Sequence, residues 1–107
     1  AVNREQFMRR AIELSRQKMQ AGEGGPFGAV VVKDGTIVGE GWNCVTSRND
    51  PTAHAEVVAI RDACARLRTF TLQGCELYTS CEPCPMCWGA VQHSNLAKMY
   101  VGVKEGE

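Results

Sequence analysis

The run Ala29-Val30-Val31-Val32 is apolar at four successive positions and is followed directly by Lys33-Asp34-Gly35. A strand that alternated polar and apolar residues would need cover on one face only. This run presents apolar side chains to both faces, so both need cover. Asp34-Gly35 tolerates positive φ and turns the chain into a hairpin, with a return strand over Thr36 to Trp42. A sheet buried on both faces in a chain of 107 residues leaves room for one thin layer of helices on each side.

Helical periodicity supplies those layers. Phe7, Met8, Ala11, Ile12, Ser15 and Met19 mark one face of a helix from Asn3 to Ala21, capped by Asn3 and ended by Gly22-Glu23-Gly24-Gly25-Pro26. A second helix runs from Ala53 to Leu67, capped by Asp50 or Thr52, with Val57, Ile60, Cys64 and Leu67 as its buried stripe. Cys44 to Pro51 reads as a polar loop. Cys75 to Ser80 is a short strand, Cys84 to His93 a helix with Pro85 in its first turn, and Ala97 to Val103 the last strand. The predicted order is α-β-β-α-β-α-β as far as the chain goes. It forms a three-layer α-β-α unit on a mixed sheet, with the first two strands antiparallel and the later β-α-β unit parallel.

Formal net charge is zero, so no bulk basic field draws the chain to nucleic acid or an anionic membrane, and no run of membrane length is present. The six cysteines would suggest bridges in a small secreted domain. Cys64 on a helix face and Cys44 and Cys75 beside apolar strands suit buried free thiols of a reducing cytoplasm instead.

Cys84 and Cys87 are three apart at a predicted helix start, where their side chains face nearly the same way and backbone N–H groups stabilise thiolates. His54 and Glu56 are two apart. In mid-helix they would diverge by about 200°, but at a helix start both reach around the end of the axis. A histidine and two cysteines fit zinc with a fourth position for water, and Glu56 would sit beside that water. Cys81, Cys84 and Cys87 also open like an iron–sulfur run, yet the next position of that run is Val91. A closed structural zinc with Cys81 as fourth ligand, used as a binding module, is a further reading. It leaves Glu56 without a task.

Three stretches carry a resemblance over nearly the whole chain: Gly24-Gly25-Pro26-Phe27-Gly28-Ala29-Val30, Asn49-Asp50-Pro51-Thr52-Ala53-His54-Ala55-Glu56, and Tyr78-Thr79-Ser80-Cys81-Glu82-Pro83-Cys84-Pro85-Met86-Cys87. His-x-Glu followed by Pro-Cys-x-x-Cys is the zinc deaminase signature. The chain resembles the cytidine and deoxycytidylate deaminase superfamily, and within it the guanine deaminase branch, guanosine deaminases included.

The resemblance implies a single zinc-dependent deaminase domain over 1–107, in a cytidine deaminase-like fold. It implies one Zn²⁺ per chain on His54, Cys84 and Cys87, with Glu56 as the catalytic proton carrier. Asn43 corresponds to the base-recognising asparagine, Phe27 to the aromatic wall, and the Ala55 backbone to a hydrogen-bonding partner of the substrate. Read without the resemblance, Asn43 could close a turn and Phe27 could be core. Trp88 is expected to pack, and His93 to end its helix.

The activity implied is hydrolytic deamination of a purine, guanine to xanthine with release of ammonia, or guanosine. The branch also implies a cytoplasmic homodimer whose C-terminal segment, past Glu107, closes the site by exchange between subunits. The alternative is a tRNA-specific adenosine deaminase. Gln92-His93-Ser94-Asn95-Leu96 leans toward it or toward the guanosine deaminases, whereas neutrality and Ser80-Cys81 lean away from the tRNA enzyme.

Overall fold

The structure is a computed structural model, and it describes residues 4–22 and 27–102. The elements in order are α1 (Arg4–Gln20), β1 (Gly28–Lys33), β2 (Thr36–Trp42), α2 (Val45–Arg48), α3 (Ala55–Leu67), β3 (Cys75–Thr79), α4 (Pro85–His93) and β4 (Lys98–Val101). The strands form one sheet in the order β2-β1-β3-β4. β1 is antiparallel to β2 and to β3, whereas β3 and β4 are parallel across α4. The expected mixed sheet and its α/β class therefore hold.

β1 is central, and Gly28 to Val32 are all buried. Ala29 and Val31 face one layer with Leu77, where α3 and α4 bring Ala55, Ala59, Ala63 and Val91. Val30 and Val32 face the other with Tyr78, where α1 brings Phe7 and Leu14. Asp34 and Gly35 both take positive φ, 51° and 77°, as a two-residue hairpin turn requires. Gly22, at φ 76°, closes α1 by donating its N–H to the Met19 carbonyl. The Asn3 cap and the Gly24-Gly25-Pro26 part of the resemblance lie outside the described residues.

Four local expectations need correction. The loop from Cys44 contains the short helix α2, ended by Asn49 at a left-handed φ of 51°. On α1, Ile12 and Met19 are exposed, and Leu14 takes the buried place. The stripe predicted for α3 is only partly buried; its buried residues are Ala55, Glu56, Val58, Ala59 and Ala63. Small side chains win there because α3 lies almost on the backbone of β2. A Cβ on Gly39 would lie 2.7 Å from the Ala59 carbonyl oxygen and from the Ala63 Cβ, distances a real Cβ does not reach. Last, neither Asp50 nor Thr52 caps α3. Asp50 accepts from the Thr52 N–H and hydroxyl in its own turn, and His54 is the N-cap residue.

All six cysteines are free, with Cys44 and Cys75 buried. Among the described residues no helix is long and apolar enough to cross a membrane.

Candidate active site and metal centre

Two helix starts meet at one end of the sheet. His54 and Cys84 are the N-cap residues of α3 and α4, both in extended backbone, with ψ of 158° and 171°. Their own carbonyls begin the helices, accepting from the Val58 and Trp88 N–H groups. Pro85 at the first helical position fixes the entry to α4 without losing a bonded N–H. Cys87 follows one turn later and is fully buried.

His54 Nδ1 lies 3.7 Å from Cys84 Sγ and 3.6 Å from Cys87 Sγ, and the two sulfurs are 3.6 Å apart. These three atoms form the one convergent group of metal-type ligands among the described residues. A tetrahedral zinc with ordinary bond lengths separates two thiolates by about 3.8 Å and a thiolate from an imidazole nitrogen by about 3.6 Å. The triangle thus has the dimensions of three corners of a zinc tetrahedron, and its donor set is the softer N/S kind that zinc accepts. Iron–sulfur ligation would need a fourth cysteine, and position 91 is valine.

The thiols differ in charge preference. Backbone N–H groups of Cys87 and Met86, at the start of α4, bind Cys84 sulfur and hold its pKa below that of an ordinary thiol. Burial, and then the neighbouring Glu56 carboxylate, push the Cys87 thiol well up. A cation bound to both sulfurs would offset that cost.

Glu56 is only 6% exposed. Its Oε1 is 3.5 Å from Cys87 Sγ, and its Oε2 is 3.4 Å from the Thr79 hydroxyl. The carboxylate therefore stands against the metal triangle and leaves the triangle's open side to a cavity of about 230 Å³. Phe27, Asn43, Ala55, Cys81 and Glu82 line that cavity together with His54, Glu56 and Cys84. Larger grooves, along the outer face of α1 and between β2 and α3, are lined chiefly by charged pairs and lie away from the ligands.

Every site residue read from the sequence is thus brought to one place. Phe27 is 38% exposed at the cavity wall, so it is not core. Asn43 does close a turn, because its Oδ1 accepts the Val45 N–H at 3.0 Å. That bond uses the carboxamide oxygen and leaves the NH₂ donors out of the turn. Trp88, expected to pack, is 45% exposed. It lies off the buried face of α4, which Cys87 and Val91 occupy. His93 is the last residue of α4. Cys81, weighed from the sequence only as a further metal ligand, and Glu82, to which it gave no role, both line the cavity; their place beside Cys84 was the available signal.

The profile of the cytidine and deoxycytidylate deaminase zinc-binding region matches residues 1–103. A guanine deaminase of Bacillus subtilis (strain 168) is 61% identical over 90 residues, covering 84% of this chain and 58% of that protein. A tRNA-specific adenosine deaminase of Aquifex aeolicus (strain VF5) is 43% identical over 98 residues, covering 92% of this chain and 64% of that protein. The X-ray structure of the guanine deaminase from Bacillus subtilis superposes with a TM-score of 0.93 at 54% identity, covering 95% of this chain and 65% of that one. The chain therefore spans somewhat less than two thirds of these relatives. Fold, ligand triangle and sequence agree: the chain belongs to the cytidine and deoxycytidylate deaminase zinc-binding family.

Proposed function

We propose that this chain carries a zinc-dependent purine deaminase site that converts guanine to xanthine and releases ammonia. One observation carries the reading. His54, Cys84 and Cys87 make a zinc-sized triangle, and the buried carboxylate of Glu56 stands against it at the floor of an open cavity. A closed structural zinc would need no such carboxylate.

Zinc held by His54, Cys84 and Cys87 would supply a water whose pKa is lowered to about 7, against 15.7 in bulk. Glu56 takes a proton from the attacking water and passes it to the ring nitrogen beside C2; it then takes the remaining hydroxyl proton at C2 and delivers it to the amine, which leaves as ammonia while the C2 carbonyl forms. Water and guanine thus give xanthine and ammonia with no other reactant. Proton transfer by a positioned group is typically worth about 10²–10⁴-fold.

Phe27 offers one face of its ring to a flat base. The Asn43 NH₂ group donates to an acceptor on that base, since its oxygen is held by Val45. The Ala55 backbone, at the α3 start, lines the same cavity. The cavity is below the ~300–1,000 Å³ usual for drug-sized ligands, which favours a single base over a bulkier substrate.

Greater similarity to a guanine deaminase than to a tRNA-specific adenosine deaminase supports guanine as substrate. Six free thiols support a reducing cytoplasm. Exposed Met86 and Trp88 beside the ligands support a homodimer that covers them. Ammonia release by the whole protein from guanine, guanosine and a tRNA stem-loop tests the reading. Guanine turns over fastest if it is right, and release from the tRNA alone contradicts it.

A further inference from the structure

Along β3 the side chains of Cys75 and Leu77 face the layer of α3 and α4 and join its apolar core. Strand alternation turns Thr79 to the same side. It is the polar member of that series and is only 2% exposed. Its main chain is held on both flanks, opposite Ala29 of β1 and Val101 of β4. Its carbonyl also accepts the Gly102 N–H at 2.7 Å. A β-branched side chain on so constrained a backbone has little rotamer freedom.

The Thr79 hydroxyl has two neighbours, Glu56 Oε2 at 3.4 Å and the Cys81 carbonyl oxygen at 3.1 Å. It carries one proton and both neighbours are acceptors, so it donates to one of them or shares the proton between the two. Either way it backs Oε2, while Oε1 faces Cys87 and the metal triangle.

We propose that Thr79 is a positioning residue: its hydroxyl sets the rotation of the Glu56 carboxylate so that Oε1 addresses the reacting water. The kinetic part of this rests on the purine deaminase reading above; the geometric part does not. Thr79→Val keeps the β-branched shape and removes the hydroxyl, and Thr79→Ser keeps the hydroxyl.

In the whole zinc-loaded protein, Thr79→Val should lower kcat about three- to tenfold, the range of one lost hydrogen bond. KM should stay within about twofold, and the zinc content should not change. Thr79→Ser should stay within about twofold of the parent in kcat. A merely structural role through Cys81, which lines the cavity, would raise KM instead.

Crystal structures of the parent and Thr79→Val proteins give the second readout. The carboxylate of Glu56 should rotate away from residue 79 in the variant. A carboxylate left in place, an unchanged kcat, or a serine variant as impaired as the valine one would overturn the proposal. A parent protein that releases no ammonia from guanine would overturn the deaminase reading instead, and the structural comparison would still decide the role of Thr79.

Discussion

Gly41 and Ala55 meet backbone to backbone: a Cβ on Gly41 would overlap the Ala55 carbonyl oxygen. This contact seats the first turn of α3 on β2, and so fixes where His54 and Glu56 stand. Gly41→Ala should cost about 1–3 kcal/mol, as overpacking does, and should weaken zinc retention with it. Gly89 offers the contrast, because a Cβ there meets nothing within 4 Å and φ is ordinary. Gly89→Ala, inside α4, should stabilise by about 0.5–1 kcal/mol. Thermal melts of both variants check the pair; equal effects would contradict this account of the packing.

Asn43 closes a turn through its oxygen and lines the cavity, where the proposed reading gives its nitrogen to the substrate. Asn43→Asp keeps an acceptor for the Val45 N–H but removes the donor. Its melting temperature should stay within about 3 °C of the parent, on the order of half a kcal/mol in a domain this size. KM for guanine should rise about tenfold or more, as loss of a donor to a buried acceptor implies. Parallel melts and Michaelis curves test this. A variant that loses stability and keeps KM would assign Asn43 to the turn alone.

Zinc uptake must displace thiol protons. Burial and Glu56 hold the Cys87 thiol above its ordinary range, so without metal it keeps its proton at neutral pH. Apparent zinc affinity should therefore climb as pH rises from about 6 to 8, as proton release on metal binding requires. Chelator competition at three pH values reads this directly. In metal-free protein, alkylation should reach Cys84 before Cys87, because helix N–H groups lower the Cys84 pKa and Cys87 is fully buried. A flat pH profile with equal labelling would contradict the assignment.

Arg10 of α1 and Glu40 of β2 form a pair at 2.8 Å. Arg10 holds the Glu40 carboxyl below its ordinary 4.5. A carboxyl depressed in the folded state adds stability above its unfolded pKa and loses it as pH falls through the folded value. The pair's contribution should thus be complete above pH 4.5 and fade below it. Glu40→Gln should flatten the acid limb of the stability curve without moving the neutral-pH activity. Urea melts between pH 3 and 7 check it, and an unchanged acid limb would contradict it.

Much of this site was readable because its chemistry is local. His54-Ala55-Glu56 and Pro83-Cys84-Pro85-Met86-Cys87 each place ligands at a helix start, and helix geometry makes those residues converge. The apolar run of β1 and the Asp34-Gly35 turn likewise fixed the centre of the sheet. What stayed hidden depends on distant partners. The α3 stripe was misplaced because Ala55, Ala59 and Ala63 are buried by Gly39 and Gly41, and glycine opposite alanine leaves no hydrophobic period to count. The role of Thr79 was hidden for the same reason: nothing in its strand foretells a carboxylate 23 positions upstream.

The central claim is that Glu56 moves protons at a zinc held by His54, Cys84 and Cys87. Xanthine and ammonia formation from guanine, measured together with zinc content for the parent and for Glu56→Gln, tests it most directly. The account predicts one zinc per chain in both proteins and a loss of at least about 10²-fold in kcat for the variant. A variant that keeps its zinc and still forms xanthine at the parent's rate would contradict it.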